Sequence, residues 1–308
     1  MKFVYFGSAA FSRIVLETLC ANGLIPALIV SQPDKPRGRG LHVCPTEVSK
    51  FALENNIALI KPAAIKTKEI IDTLREYNPD YFIVADYGKI LPCELLSVPG
   101  KFPLCVHPSI LPHYRGPAPV NWALINGETE TGVSIFRINR QIDAGEIILI
   151  QKTAIKETDD AVSLSAKLAI LGAKAMVNAI QAIENKHCKL IPQDESCSDY
   201  HRKLTKEDGK IIWTHDALTL RNLVRGCLNW PSAYTHHQKK LIQILKASAQ
   251  EGAPAEPGTI VKIDKTGLWV AAGQGILRLE EVKPEGKNSM SAYAFSCGHQ
   301  IKPGDKLY

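Results

Sequence analysis

Residues 2–23, KFVYFGSAAFSRIVLETLCANG, decide the fold. KFVYFG is an unbroken apolar run of strand length that breaks at Gly7 and Ser8. FSRIVLETLCANG then spaces its apolar residues at three- and four-residue intervals and stops at a glycine, which reads as an amphipathic helix. The same alternation continues outward. IPALIVS (25–31) is a second strand, TEVSKFALENN (46–56) and KEIIDTLREYNPD (68–80) are helices, and YFIVADYG (81–88) is a strand ending in a turn. Strands alternating with helices of this length imply an α/β domain, a parallel sheet covered by helices on both faces. Ligands in such sheets bind beyond the carboxyl ends of the strands, where YFIVADYGKILP (81–92) and PLCVHPSILP (103–112) both deliver polar residues.

A long helix over about residues 161–185 closes this first domain, assigned to residues 1–188. The polar stretch 189–208 reads as a linker, and residues 209–308 as a second domain. In that second domain DALTLRNLVRGCLNW (216–230) is helical. The rest alternates short β-rich pieces with Gly and Pro turns, the pattern of a small antiparallel barrel.

The chain has 308 residues, 45% hydrophobic and 22% charged, as in ordinary globular enzymes. It has eight cysteines and no Cys-x-x-Cys pair, so a zinc ribbon or a thioredoxin-like site has no support. With no signal peptide and no unbroken apolar run of membrane-spanning length, a cytoplasmic protein is expected. Charge is unevenly placed. Residues 1–200 carry 21 basic and 21 acidic side chains, whereas residues 201–308 carry 16 and 10. The whole net charge of +6 thus lies in the last third. That points to an anionic partner such as nucleic acid, against the alternative of a lysine-rich solvated surface.

Chemistry concentrates in two places. VHPSILPHYRGPAP (106–119) sets His107 at a strand end before a loop stiffened by prolines, with Gly116 permitting a close approach. GVSIFRINRQIDAGEIILI (132–150) sets Asp143 in a turn between two β-rich segments. A histidine beside a carboxylate makes an acid–base pair. Isolated, each residue is more often structural, and an Asp before Ala-Gly is commonly a turn former.

Together these residues carry a resemblance. HPSILPHYRGPAP is similar to the H-x-S-L-L-P-x-x-R-G-x-x-P signature of the 10-formyltetrahydrofolate-dependent formyltransferases, and IDAGEI resembles the segment that supplies their catalytic aspartate. SQPDKPRGRG (31–40), KLTKEDGKIIWT (203–214) and LRNLVRGCLNWPSAYT (220–235) resemble, in order, segments of the members that act on methionyl-tRNA. The resemblance implies a Rossmann-like formyltransferase domain followed by an OB-like β-barrel, with no metal, and a monomer is expected. It implies 10-formyltetrahydrofolate as formyl donor, held near Tyr87, Gly88, Ile90 and Leu91 and by Ser109, Ile110, Leu111 and Pro112. His107 would meet the oxyanion or relay a proton, and Asp143 would fix its tautomer. Initiator methionyl-tRNA is the implied acceptor, met by Lys35, Arg37 and Arg39 and by the basic C-terminal module. A nucleotide-linked amino sugar as acceptor, and a non-catalytic RNA-binding relative, are the alternatives.

One position departs from the family. Its third catalytic residue, an asparagine two places before the histidine, is Cys105 here. A thiol is a far weaker donor than an amide. Another donor, such as a backbone N–H, a water, Asn121 or Asn139, would have to polarise the formyl group, or the enzyme would be impaired.

Overall fold

FVYFG and YFIVA, buried at every position, lie side by side as parallel strands from Phe3↔Tyr81 to Gly7↔Ala85. They are the centre of a seven-stranded sheet in a computed structural model that describes residues 1–37, 42–253 and 255–308. The chain divides into two compact units: 1–119 with 130–154 and 165–201, and 120–129 with 155–164 and 202–308.

The first unit runs β1 (Phe3–Gly7), α1 (Ala10–Ala21), β2 (Leu28–Val30), β3 (Lys35–Arg37), β4 (His42–Cys44), α2 (Glu47–Glu54), β5 (Leu59–Ile60), α3 (Lys68–Glu76), β6 (Tyr81–Ala85), α4 (Cys93–Leu96) and β7 (Phe102–His107). After α5 (Pro119–Ile125), which beyond Pro119 belongs to the second unit, come β8 (Glu130–Arg137), β9 (Ile147–Ala154) and α6 (Ala161–Glu184), whose first turn also belongs to the second unit. Local chemistry fixes the helix starts: the Thr46 hydroxyl accepts the Ser49 N–H at 3.0 Å to cap α2. The sheet order is β5-β2-β1-β6-β7-β8-β9. Its first five strands are parallel, but β7–β8 and β8–β9 are antiparallel. The expected parallel sheet holds for these five strands, and β8 and β9 extend it as antiparallel members. For β8 and β9 the reason is local: their 138–146 connection has no room for the crossover a parallel pair requires.

α6 is long and apolar enough to cross a membrane by length and composition. Leu168, Ala169, Ala173, Met176 and Ala179 along it are buried, as in a core helix.

The second unit has α7 (Ala217–Gly226), capped by the Asp216 carboxylate at the Thr219 N–H. Its strands β10 (Ala233–His237), β11 (Lys240–Gln250), β12 (Ile260–Asp264), β13 (Gly267–Ala271) and β14 (Ile276–Pro284) form an antiparallel sheet in the order β10-β11-β14-β13-β12. β15 (Met290–Ser291) adds to β14, and α8 (Ala292–His299) follows. Among the described residues no ladder joins β10 to β12, so the sheet is antiparallel without a closed ring of strands. α8 lies in a region read from sequence as short β-rich pieces alternating with Gly and Pro turns. The Ser291 hydroxyl caps it at the Ala294 N–H. The core of this unit is Trp213, Leu220, Val224, Ile244, Val270, Leu279 and Phe295 with their neighbours.

Candidate functional site

β6 and β7 end side by side, and the site is built on the second of them. His107 is the last residue of β7, opposite Ser134 of β8, and is 5% exposed. Ser134 stitches the following loop to the sheet. Its hydroxyl accepts the Leu111 N–H at 3.0 Å and donates to the Ser109 carbonyl at 2.7 Å. Ser109 in turn donates to the carbonyl of His113 at 2.6 Å. The loop therefore returns over its own strand and brings the Tyr114 carbonyl to 2.9 Å from Nε2 of His107. A carbonyl only accepts, so Nε2 carries the proton. Nδ1 is left facing Asp143, at 3.7 Å from its Oδ2. That gap is too long for a hydrogen bond and suits an ion pair with an imidazolium. The tautomer is thus set by the Tyr114 carbonyl, a role the sequence assigned to Asp143.

Asp143 reaches this position from the β8–β9 hairpin with φ of +52°. Asparagine and aspartate tolerate that left-handed backbone better than other side chains. Asn139 braces the turn, accepting the Gln141 N–H at 2.9 Å and donating to the Ala144 carbonyl at 3.2 Å. Gly145 passes so close to the Arg137 carbonyl that an added Cβ would lie 1.7 Å from its oxygen. The Asp143 carboxylate also accepts the Gly116 N–H at 2.8 Å.

Residues 193–201 supply partners that sequence reasoning missed. Arg115, 7% exposed, donates through Nε and Nη2 to the Gln193 side-chain oxygen at 3.0 and 2.7 Å, and through both terminal nitrogens to Glu195 at 2.9 Å. The Gln193 amide donates to the carbonyls of Asp143 (2.9 Å) and Gly145 (2.8 Å). The Asp199 carboxylate lies 3.0 Å from Nδ1 of His113 and 3.1 Å from Nε2 of His201, and accepts the Tyr114 N–H. Burial opposes ionisation of Asp199, but the hydrogen bonds from His113 and Tyr114 and the two imidazoles hold its carboxyl below the usual range. His201 stacks on Tyr114 with centroids 4.6 Å apart. An acidic patch some 80 positions downstream of an arginine leaves no local periodic signal, so spacing could not find these pairs.

Cys105 packs against the Leu111–Phe136–Ile147 cluster and against the core under β6. Burial first, then the carboxylates of Asp143 and Asp86, push its thiol well above the ordinary range. It stays a neutral thiol, the opposite of an activated nucleophile. Of the two asparagines considered as its substitute, Asn139 is spent on the turn, and Asn121 donates to the Gly226 carbonyl within the second unit.

The residues expected around the folate differ in exposure. Tyr87 is 2% exposed, packs edge-on to Phe6 in the core, and has a buried hydroxyl with no hydrogen-bond partner among the described residues, pushed up to about 12 by burial. Leu91, Ser109 and Leu111 are buried, Ile110 and Pro112 half-buried, and Ile90 is 72% exposed. Gly88 has φ of +75°, and its backbone runs beside Gln32, whose amide donates to the Tyr87 carbonyl at 2.6 Å. Lys35 is exposed on β3 and donates to Gln32 at 3.3 Å. Lys35–Arg37 and His42–Cys44 are two short antiparallel strands, β3 paired with β4 from Lys35↔Cys44 to Arg37↔His42. Arg39 lies outside the described residues. No group of three or more His, Cys, Asp or Glu among the described residues is arranged to hold a metal.

Residues 1–180 match the family model described as formyl transferase, and residues 203–300 the one described as formyl transferase, C-terminal domain. Curated relatives align end to end. A protein of Acetivibrio thermocellus named methionyl-tRNA formyltransferase is 38% identical over 100% of this chain and 99% of its own length. One of the same name from Caldanaerobacter subterraneus is 38% identical over the full length of both. Among solved structures, an N-formyltransferase of Helicobacter canadensis in complex with folinic acid and dTDP-3-aminofucose superposes with a TM-score of 0.66, at 19% identity over 91% of this chain and 98% of its own. Methionyl-tRNA formyltransferase of Clostridium thermocellum superposes at 0.55, with 16% identity over 90% and 99%. At those identities the superpositions speak for the fold alone.

Proposed function

The chain belongs to the formyl transferase family, and we propose that it moves a formyl group from 10-formyltetrahydrofolate to the amino group of initiator methionyl-tRNA, with His107 and Asp143 as its catalytic pair. The observation that carries this reading is the orientation of that pair. Nε2 of His107 is committed to a carbonyl, and Nδ1 is turned toward a carboxylate at the end of β7. End-to-end alignment with relatives named for methionyl-tRNA supports the acceptor.

In this reaction the neutral amine attacks the formyl carbon, forming a C–N bond and a tetrahedral oxyanion. The bond from that carbon to the folate nitrogen then breaks, the amine loses a proton and the leaving nitrogen gains one. His107 moves that proton through Nδ1, and Asp143 balances the imidazolium while it exists. Cys105 adds little to polarising the formyl oxygen, because a thiol is a poor donor. Backbone N–H groups or water at the strand ends supply the polarisation instead.

The folate lies against the 87–91 and 109–112 segments, with Ile90 and Ile110 as apolar contacts and backbone groups near Gly88 reading the ring edge. Lys35, Arg37 and Arg39 meet the acceptor end of the tRNA. Residues 209–308, joined through 189–208 to a catalytic domain of residues 1–188, track its phosphates as an OB-like module. The substrates of translation initiation place the reaction in the cytoplasm.

A nucleotide-linked amino sugar as acceptor is the second reading. Competition separates the two: purified protein with 10-formyltetrahydrofolate is offered charged initiator tRNA and a nucleotide-linked amino sugar together. Formyl-methionyl-tRNA as the product supports the first reading, and formylated sugar alone the second.

A further inference from the structure

Asp143 stands at the tip of a hairpin beside exposed residues Gln141 and Ile142, where nothing in the β8–β9 ladder holds it against His107. Two external grips do so. The Gly116 N–H holds the carboxylate, and the Gln193 amide holds the backbone on either side of Ala144. All four hydrogen-bonding positions of that amide are used. Its oxygen takes two N–H groups of Arg115 and its nitrogen gives both protons to the carbonyls of Asp143 and Gly145. The arrangement is directional. Arg115 can only donate, so it fixes which end of the amide points at it, and the NH2 end is thereby aimed at the turn. Arg115 is itself anchored by Glu195 and by backbone bonds on both sides. Its N–H reaches the Asp199 carbonyl at 3.1 Å and its carbonyl takes the His201 N–H at 2.8 Å. Gly116, the other grip, is the next residue.

We infer that Gln193 is a positioning residue for the formyl-transfer step, oriented by Arg115 and holding the Asp143 turn at its working distance from Nδ1 of His107. The inference rests on the reading of His107 and Asp143 as the catalytic pair. It gives the 193–201 segment a role in catalysis through a side chain that reaches Asp143 at its backbone carbonyl. A misplacement of about 1 Å at a reacting group costs on the order of 10²-fold in rate, so the effect falls on turnover.

Gln193→Glu tests this, because it keeps an acceptor for Arg115 and removes both donors to the turn. With 10-formyltetrahydrofolate and charged initiator tRNA, kcat is expected to fall about 10- to 100-fold. Both KM values are expected to stay within about twofold, since uniform binding is untouched. In a Gln193→Glu/Asp143→Asn double variant the loss should be no greater than in Asp143→Asn alone, because the two residues act as a unit. The ring ¹⁵N signals of His107, read on the folded variant, should shift from their wild-type positions. Wild-type kcat in Gln193→Glu, multiplying losses in the double variant, or unmoved His107 signals would each overturn the inference. Asp143→Asn is the control: if it turns over like wild type, the catalytic-pair reading itself fails and takes the inference with it. Gln193→Ala, which removes both halves of the bridge, repeats the measurement should the glutamate disturb folding.

Discussion

Nε2 of His107 donates to the carbonyl of Tyr114 across 2.9 Å, so the nitrogen that faces Asp143, and that the proposed reaction uses, is Nδ1. The Tyr114 backbone adopts φ of +59° to present that carbonyl. A left-handed backbone costs an aromatic residue about 1–2 kcal/mol. The Asp199 clamp and the His201 stack on Tyr114 offset that cost.

Replacing His107 by alanine removes the proposed proton relay and should lower kcat/KM about 10²- to 10⁴-fold. Asp143→Asn keeps an acceptor for Gly116 but withdraws the charge facing Nδ1, so its loss should lie in kcat. Steady-state kinetics on both variants check this. Unchanged turnover in either removes that residue from the mechanism.

Gly116→Ala tests the geometry of the loop. Gly116 has φ of +106°, and an added Cβ would stand 2.4 Å from the His201 carbonyl oxygen, a backbone atom that cannot step aside. The substitution should destabilise the protein by about 2–3 kcal/mol, read as a fall in denaturant midpoint at constant slope. It should also lower kcat, because the Gly116 N–H is one grip on Asp143. Wild-type stability would show that the loop is less constrained than its contacts imply.

Cys105 is expected to resist alkylation at neutral pH in the folded protein, since its thiol is held neutral by burial and by Asp143 and Asp86. Cys105→Ala should leave single-turnover formyl transfer within about threefold, a thiol being so weak a donor. Cys105→Asn should speed it, toward the 10²-fold or more that one well-placed donor contributes. The larger side chain has to fit against Leu111 and Phe136, so this variant should lose about 1–3 kcal/mol of stability. An unchanged chemical step in Cys105→Asn would mean that position 105 does not face the formyl oxygen.

Asp208 supplies a pH signature for the second unit. Hydrogen bonds from Arg202 at 2.6 and 2.7 Å lead, and those from Thr205 add, in holding its carboxyl down at about 2 against opposing burial. A depressed folded pKa stabilises above the unfolded value near 4 and is lost as pH falls toward 2. Arg202 is 56% exposed, so solvent screening cuts the contribution to about 1 kcal/mol. Asp208→Asn should therefore lower the unfolding free energy at pH 7 and flatten its decline between about pH 4 and 2. Parallel acid profiles for the two proteins would contradict this.

Much of this was legible in the sequence. The apolar periods of FVYFG, LIV and YFIVA placed the strands, and the short IDAGEI connection placed Asp143 at a hairpin tip. Local patterns could not reveal that the β8–β9 hairpin would join the sheet antiparallel, nor that Ala292–His299 would turn helical inside a β-rich tail. Least legible was the role of Gln193, Glu195 and Asp199. Their polarity marks them as connecting residues, and only the folded chain brings them to Arg115 and Tyr114. The tautomer of His107 was hidden for the same reason, since a backbone carbonyl leaves no trace in residue type.

The most direct test of the whole account is a formylation time course with purified protein, 10-formyltetrahydrofolate and charged initiator tRNA, run beside His107→Ala. Formyl-methionyl-tRNA should accumulate with the wild-type protein and fall at least about 10²-fold in rate with the variant. Tight tRNA binding with no formylated product, or equal rates in the two proteins, would contradict it.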